Sequence, residues 1–112
     1  MENLTLDTKV QLKVRLSTYP TGMVETFKTK GTLRECLAEV ADFDSFYIQG
    51  DEIRKGIDDD GEILTLDSIL DRLNNCDGAA YIFELEVRVG NGKYECLICN
   101  ADDDIGGYGT WY

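Results

Sequence analysis

The chain has 112 residues, 43% of them hydrophobic, with 22 acids against 11 bases, no histidine and a net charge of −11. This length fits one domain able to bury about two-thirds of its unfolded surface, and the apolar content excludes a disordered chain. The missing histidine removes the usual general base near neutral pH, the Ser-His-Asp and Cys-His nucleophile systems and most catalytic zinc sites, so a non-enzymatic protein without cofactor or metal is expected.

No apolar run approaches the roughly 18 residues of a membrane span. The opening "MENLTLDTK" lacks the basic-then-apolar order of a secretory signal. A cytoplasmic protein whose four cysteines stay as thiols is therefore expected.

Residues 9–17, "KVQLKVRLS", alternate strictly: Val10, Leu12, Val14 and Leu16 share one face, and Lys9, Gln11, Lys13 and Arg15 the other. That is a half-buried strand. "YPTG" places proline and glycine for a type I turn, and residues 23–30 return as a second, antiparallel strand. "GTLRECLAEVAD" reads as a helix capped by Thr32 with Glu35 in a capping box, its buried stripe running through Leu33, Cys36, Leu37, Val40 and Ala41. "SFYIQG" reads as a third strand, and "TLDSILDRLNN" as a second amphipathic helix through Leu66, Ile69, Leu70 and Leu73. The two helices share the form T-L-x-x-[apolar]-L, 33 residues apart, which an internal duplication or common capping rules would both explain.

A terminal hairpin closes the pattern. Tyr81, Phe83, Leu85, Val87 and Val89 alternate with Glu84, Glu86 and Arg88, "GNGK" signals a primed turn, and Tyr94, Cys96 and Ile98 return. The expected fold is α+β, a small, mainly antiparallel sheet with two amphipathic helices on one face in the order ββαβαββ. Residues 1–100 form the single domain and 101–112 an acidic, glycine- and aromatic-rich tail.

"GIDDDGEILTLD", residues 56–67, offers acid in two chemistries. Laid on a calcium loop with Gly61 at position 6, it puts Gly56 where the first ligand belongs and the shorter acid Asp67 where a bidentate glutamate belongs, which disfavours calcium. "CLIC", Cys96 to Cys99, has CxxC spacing, but on a regular strand three residues of offset send the two side chains to opposite faces. A zinc site of Cys36, Cys76, Cys96 and Cys99 is accordingly not expected. No phosphate-cradling glycine motif is present. The basic stripe of Lys9, Lys13 and Arg15 reads as a solvated face paired with nearby acids.

Charge is unevenly distributed: residues 1–31 sum to +2 and the other 81 to −13. Asp42, Asp44, Asp51, Glu52, Asp58, Asp59, Asp60, Glu62 and Asp67 face only Arg54 and Lys55 between positions 42 and 67. Such a surface repels nucleic acid and attracts proteins that bind it, since duplex DNA carries about one charge per 1.7 Å of axis.

Residues 8–74 resemble the N-terminal part of ArdA-type antirestriction proteins of plasmids, conjugative transposons and phages. The likeness rests on "VQLKVRLS", the helix after it, "FYIQGDEI" and "LTLDSIL". In that family the isoleucine is followed by x-Asp-Tyr-Glu; here Gln49-Gly50-Asp51-Glu52 keeps Glu52 in place and Asp51 in charge only. The resemblance implies a DNA mimic from a mobile element, as a homodimer, occupying the cleft of a basic DNA-binding protein such as a restriction or defence nuclease. The nine acids above are the residues expected to bind it, with no direct contact to nucleic acid or membrane. The alternative is a non-enzymatic protein–protein interaction module whose acidity serves only solubility.

Overall fold

The structure is a computed structural model that describes residues 4–18, 22–43, 46, 48–74 and 80–100. The remainder of the YPTG turn, Asp44 and the tail 101–112 lie outside the described residues.

Four strands, β1 (Lys9–Ser17), β2 (Val24–Thr32), β3 (Tyr81–Arg88) and β4 (Glu95–Cys99), form one antiparallel sheet in the order β2-β1-β3-β4. Three helices, α1 (Leu33–Phe43), α2 (Gly50–Lys55) and α3 (Leu66–Leu73), lie between β2 and β3 in the chain. This is the α+β class with helices and an antiparallel sheet, as the apolar periodicities require.

The strict alternation of β1 buries Val10, Leu12, Val14 and Leu16, each no more than 4% exposed. They meet Ile82, Leu85 and Val87 of β3, Ile98 of β4 and the helical stripe Leu33, Cys36, Leu37, Val40, Ile53, Ile69 and Leu73 in one core. Thr32 caps α1 by accepting from the Glu35 amide at 3.2 Å, and Thr65 caps α3 by accepting from the Ser68 amide at 3.2 Å. The segment before β1 is stitched to the start of α1, where Leu33 N donates to Thr8 O and Arg34 N to Leu6 O.

One expected strand is replaced. In the 45–50 run, Phe46 packs against the core and Ile48 is buried, which reproduces the inward alternation of a strand. Neither lies in a strand, because Gln49 begins a helix: Glu52 Oε1 accepts from the Gln49 amide at 2.9 Å in a capping box. The helix ends at Gly56, whose positive φ of 78° accommodates its left-handed C-cap. The order is thus ββαααββ.

Among the described residues no helix lies over the outer face of the sheet, and two bulges decide what it carries. On β3, Arg15 pairs with Glu84 but Leu16 pairs with Ile82, so Phe83 is an extra residue. The bulge reverses parity, so Phe83 and Tyr81 leave the apolar face expected of them and stack edge-on at 5.1 Å beside Arg15. On β4, Leu85 pairs with Ile98 but Glu86 pairs with Cys96, so Leu97 is the extra residue. Across this face Lys13 reaches Glu86 at 3.4 Å and Arg15 reaches Glu84 at 3.1 Å, while Arg88 donates to Gln11 at 2.8 and 3.0 Å. The β3–β4 connection is wider than the two-residue turn anticipated. Of its residues only Gly90 has positive φ, 59°, whereas a primed type I turn needs two consecutive ones.

Leu85 is fully buried and Ile63 is 81% exposed, which sets a direct comparison. Leu85→Ala should cost about 2–5 kcal/mol of unfolding free energy and Ile63→Ala less than about 0.5 kcal/mol, read from denaturant midpoints at unchanged m-value.

Candidate partner-binding surface

The acidic residues are carried by the helical layer. Residues 33–74 hold twelve acids against four bases, Arg34, Arg54, Lys55 and Arg72, a net −8. The strands hold six bases, Lys9, Lys13, Arg15, Lys28, Lys30 and Arg88, against four acids, Glu25, Glu84, Glu86 and Glu95. The two layers therefore differ in the sign of their charge.

Within the acidic layer two arginines sort the carboxylates. Arg54, in the last turn of α2, reaches Asp42 at 2.9 Å, Glu35 at 3.2 Å and Asp51 at 3.4 Å, tying α2 to α1. The hydrogen bond to Glu35, then that to Asp42, raises the guanidinium pKa further. Arg34 adds a second tie, donating to the Ile53 carbonyl at 3.0 Å near the C-terminus of α2. Asp42 also accepts from the Gly50 amide at 3.2 Å, and a Cβ at position 50 would collide with that carboxylate.

The second arginine organises the loop. Asp58 Oδ1 accepts from the amides of Asp60 and Glu62, each at 2.9 Å, and Asp58 Oδ2 accepts from Arg72 of α3 at 2.8 Å. Backbone bonds from Asp58 N to Glu62 O and from Gly61 N to Asp58 O close a small hairpin that the Ile57–Ile63 bridge continues. Only 5% of the Asp58 side chain is exposed. Its contact with Arg72, then the Glu62 and Asp60 amides, hold its carboxyl below the usual range against the opposing effect of desolvation. The middle of the loop is thus a structural acid that lies beneath the surface.

Of the nine acids expected to bind a partner, Asp42 and Asp51 share Arg54, Asp58 is spent on Arg72 and the loop, and Glu52 caps Gln49. Asp44 lies outside the described residues. Asp59, Asp60, Glu62 and Asp67 are exposed and carry no ion pair among the described residues. Asp59, Asp60 and Glu52 rim a dent of about 260 Å³ floored by Asp58 and Arg72. Asp71, one helical turn beyond Asp67 and exposed, belongs with them; its i, i+4 spacing from Asp67 was the available signal. Two apolar side chains stand in the same loop, Ile57 at 43% and Ile63 at 81% exposure. No group of side chains suited to holding a metal ion occurs among the described residues.

Of the cysteines, Cys36 is as expected, Cys96 and Cys99 depart from expectation, and Cys76 lies outside the described residues. Cys36 is buried, and desolvation followed by Glu39 and Glu35 pushes its thiol up to about 11, against a lowering contact from Thr29, so it behaves as a small apolar residue. Cys96 and Cys99 are bonded to each other rather than free, with their Cα atoms 5.9 Å apart. The Leu97 bulge is the reason: it puts both cysteines on the outer face, opposite Glu86 and Glu84.

No known protein family matches the chain, and neither the curated proteins nor the solved structures yield a match. Among the described residues no helix is long and apolar enough to cross a membrane.

Because the folded pKa of Asp58 lies below its ordinary value of 3.8, its stabilisation is complete above that value and is lost as the pH falls through the folded one. Asp58→Asn keeps an acceptor for the loop amides but loses the charge opposite Arg72. The stability gap between wild type and variant should be full at about pH 6 and shrink as the pH falls below about 4, as measured by denaturant unfolding across the acid range.

Proposed function

We propose that this chain is a non-enzymatic, acidic binding protein whose helical layer is taken up by the cationic cleft of a DNA-binding protein. The observation that carries this reading is the set of exposed carboxylates Asp59, Asp60, Glu62 and Asp67, without an ion pair among the described residues, on a layer of net −8, with the strand cations on the other layer. In its particular form the reading is DNA mimicry by a cytoplasmic, dimeric protein of a mobile element or phage, directed at a restriction or other defence nuclease. Support for that form comes from the resemblance of residues 8–74 to ArdA-type antirestriction proteins. The binding set is narrower than the charge run: the loop tip and the exposed side of α3 act, whereas Asp58 holds the loop. Association of this kind is fast and weakens steeply with salt.

A second reading draws on Ile57 and Ile63, exposed in the same loop. An interaction module using that apolar pair would bind with little response to salt.

The discriminating experiment titrates the protein against a type I restriction enzyme bound to labelled duplex at about 50 and 200 mM salt. The mimic displaces the duplex at low salt, and joint reversal of Asp59, Asp60 and Glu62 to lysine lowers potency at least about tenfold. Absence of displacement at low salt rejects the mimic. Salt-independent binding that is lost in an I57S/I63S variant and kept in the charge-reversed one selects the module instead.

A further inference from the structure

We propose that Cys96 and Cys99 form a reversible thiol–disulfide site on the open face of the sheet, exchanging with a low-molecular-weight thiol of the glutathione class. Both cysteines are exposed and sit on β4, at the edge of the described sheet, on the face that no helix among the described residues covers. A thiolate therefore has a clear approach to the bond.

The juxtaposition does not depend on the bond. In a regular β4, Ile98 in the core would bring Cys96 inward and send Leu97 out. The bulge instead turns Leu97 and Ile98 inward together, Leu97 packing against the core and Ile98 4% exposed. Exchanging a cysteine for a leucine in the core favours the bulge on apolar burial alone. The two sulfurs consequently stay on one face after reduction, ready to rejoin. The bond also closes a loop of only three residues' separation, where cross-linking constrains the unfolded chain least. The arrangement fits a bond that forms and breaks in the folded protein better than a structural staple.

The reduced form has a partner waiting. The Ile98 carbonyl oxygen lies 2.9 Å from Cys96 Sγ and would accept a thiol proton there. In the first step a small-molecule thiolate attacks Cys99 Sγ. The Cys96–Cys99 bond breaks, its electron pair leaves on Cys96 Sγ, and that sulfur takes a proton from solvent. A second small thiolate then attacks the small-molecule sulfur of the mixed disulfide, releasing the small disulfide and Cys99, which is protonated in turn. Two small thiols are oxidised and one protein disulfide is reduced. This site is independent of the acidic surface.

The test equilibrates the native full-length chain in buffers of graded reduced and oxidised glutathione, quenches with acid, alkylates free thiols and maps peptides by mass. The peptide carrying Cys96 and Cys99 should pass from zero to two alkyl groups in one transition that follows the square of reduced over oxidised glutathione. Far-ultraviolet circular dichroism should stay unchanged, and buried Cys36 should stay unlabelled until the protein is unfolded. A C96S variant exposed to oxidised glutathione should carry one glutathione on Cys99. Three results would overturn the proposal: separate glutathione adducts on both cysteines of the wild type, reduction only in denaturant, or a C96S/C99S variant that fails to fold.

Discussion

Burial on one side of the sheet governs the whole molecule. The described helices lie on one face, so the core must be filled from one side of each strand, and β1 supplies that side without interruption through Val10, Leu12, Val14 and Leu16. Where the chain cannot keep that parity against its neighbour, the sheet gains a residue. At Phe83 the bulge keeps Ile82 and Leu85 inward, although three positions separate them. At Leu97 it allows two adjacent apolar residues to face the core. The contents of the outer face follow from these corrections: Tyr81 and Phe83 lie against Arg15, and Cys96 and Cys99 stand side by side.

On that outer face, polar groups satisfy one another. Lys13 and Arg15 of β1 meet Glu86 and Glu84 of β3, and the ring of Tyr94 lies 4.6 Å from the Lys13 ammonium. Exposed pairs of this kind contribute up to about 1 kcal/mol each, little beside the core. Their consequence is that two of the six strand cations, Lys13 and Arg15, are matched within the sheet. Arg54 and Arg72 do the same locally in the acidic layer, and their geometric effect exceeds their energetic one. Arg54 fixes the angle between α1 and α2, and Arg72 fixes the loop against α3. Asp59, Asp60, Glu62 and Asp67 form no ion pair with either guanidinium among the described residues, although Asp60 still adds to the field on Arg72.

Much of this architecture is legible in the sequence, for reasons local to each element. Nine alternating residues set β1 at Lys9–Ser17, and a capping threonine before an apolar stripe sets α1 and α3. The short helix α2 escapes periodicity because six residues hold too little of it. Its signals are different ones: Gln49 with Glu52 at the start, Asp51 and Glu52 in the first turn, Arg54 and Lys55 in the last, and Gly56 at the end. The bulges are illegible from β3 or β4 alone, since each is a mismatch between two strands. The acidic surface is visible as composition, but its division is not. Glu35 and Arg54 are 19 positions apart, and Asp58 and Arg72 are 14. Only the fold decides which carboxylates these arginines consume.

Two lengths determine how such a charge distribution is felt from outside. Packed layers of secondary structure stand about 10 Å apart, and the screening length at physiological ionic strength is about 8 Å. Distance weakens the contribution of the basic strands, and their net +2 is too small to cancel the net −8 of the helical layer at its own surface, even though the sequence mixes the two signs along the chain. A cationic surface approaching from the helical side meets carboxylates, whereas one approaching from the sheet side meets strands that carry six bases against four acids. The preference is set before contact and fixes which side of the protein arrives first. It also explains why net charge alone describes the molecule poorly. Lysines in place of two neutral residues on the outer face of β2 would reduce the net negative charge as much as a single Asp59→Lys change, yet the field over the loop tip would change chiefly in the second case.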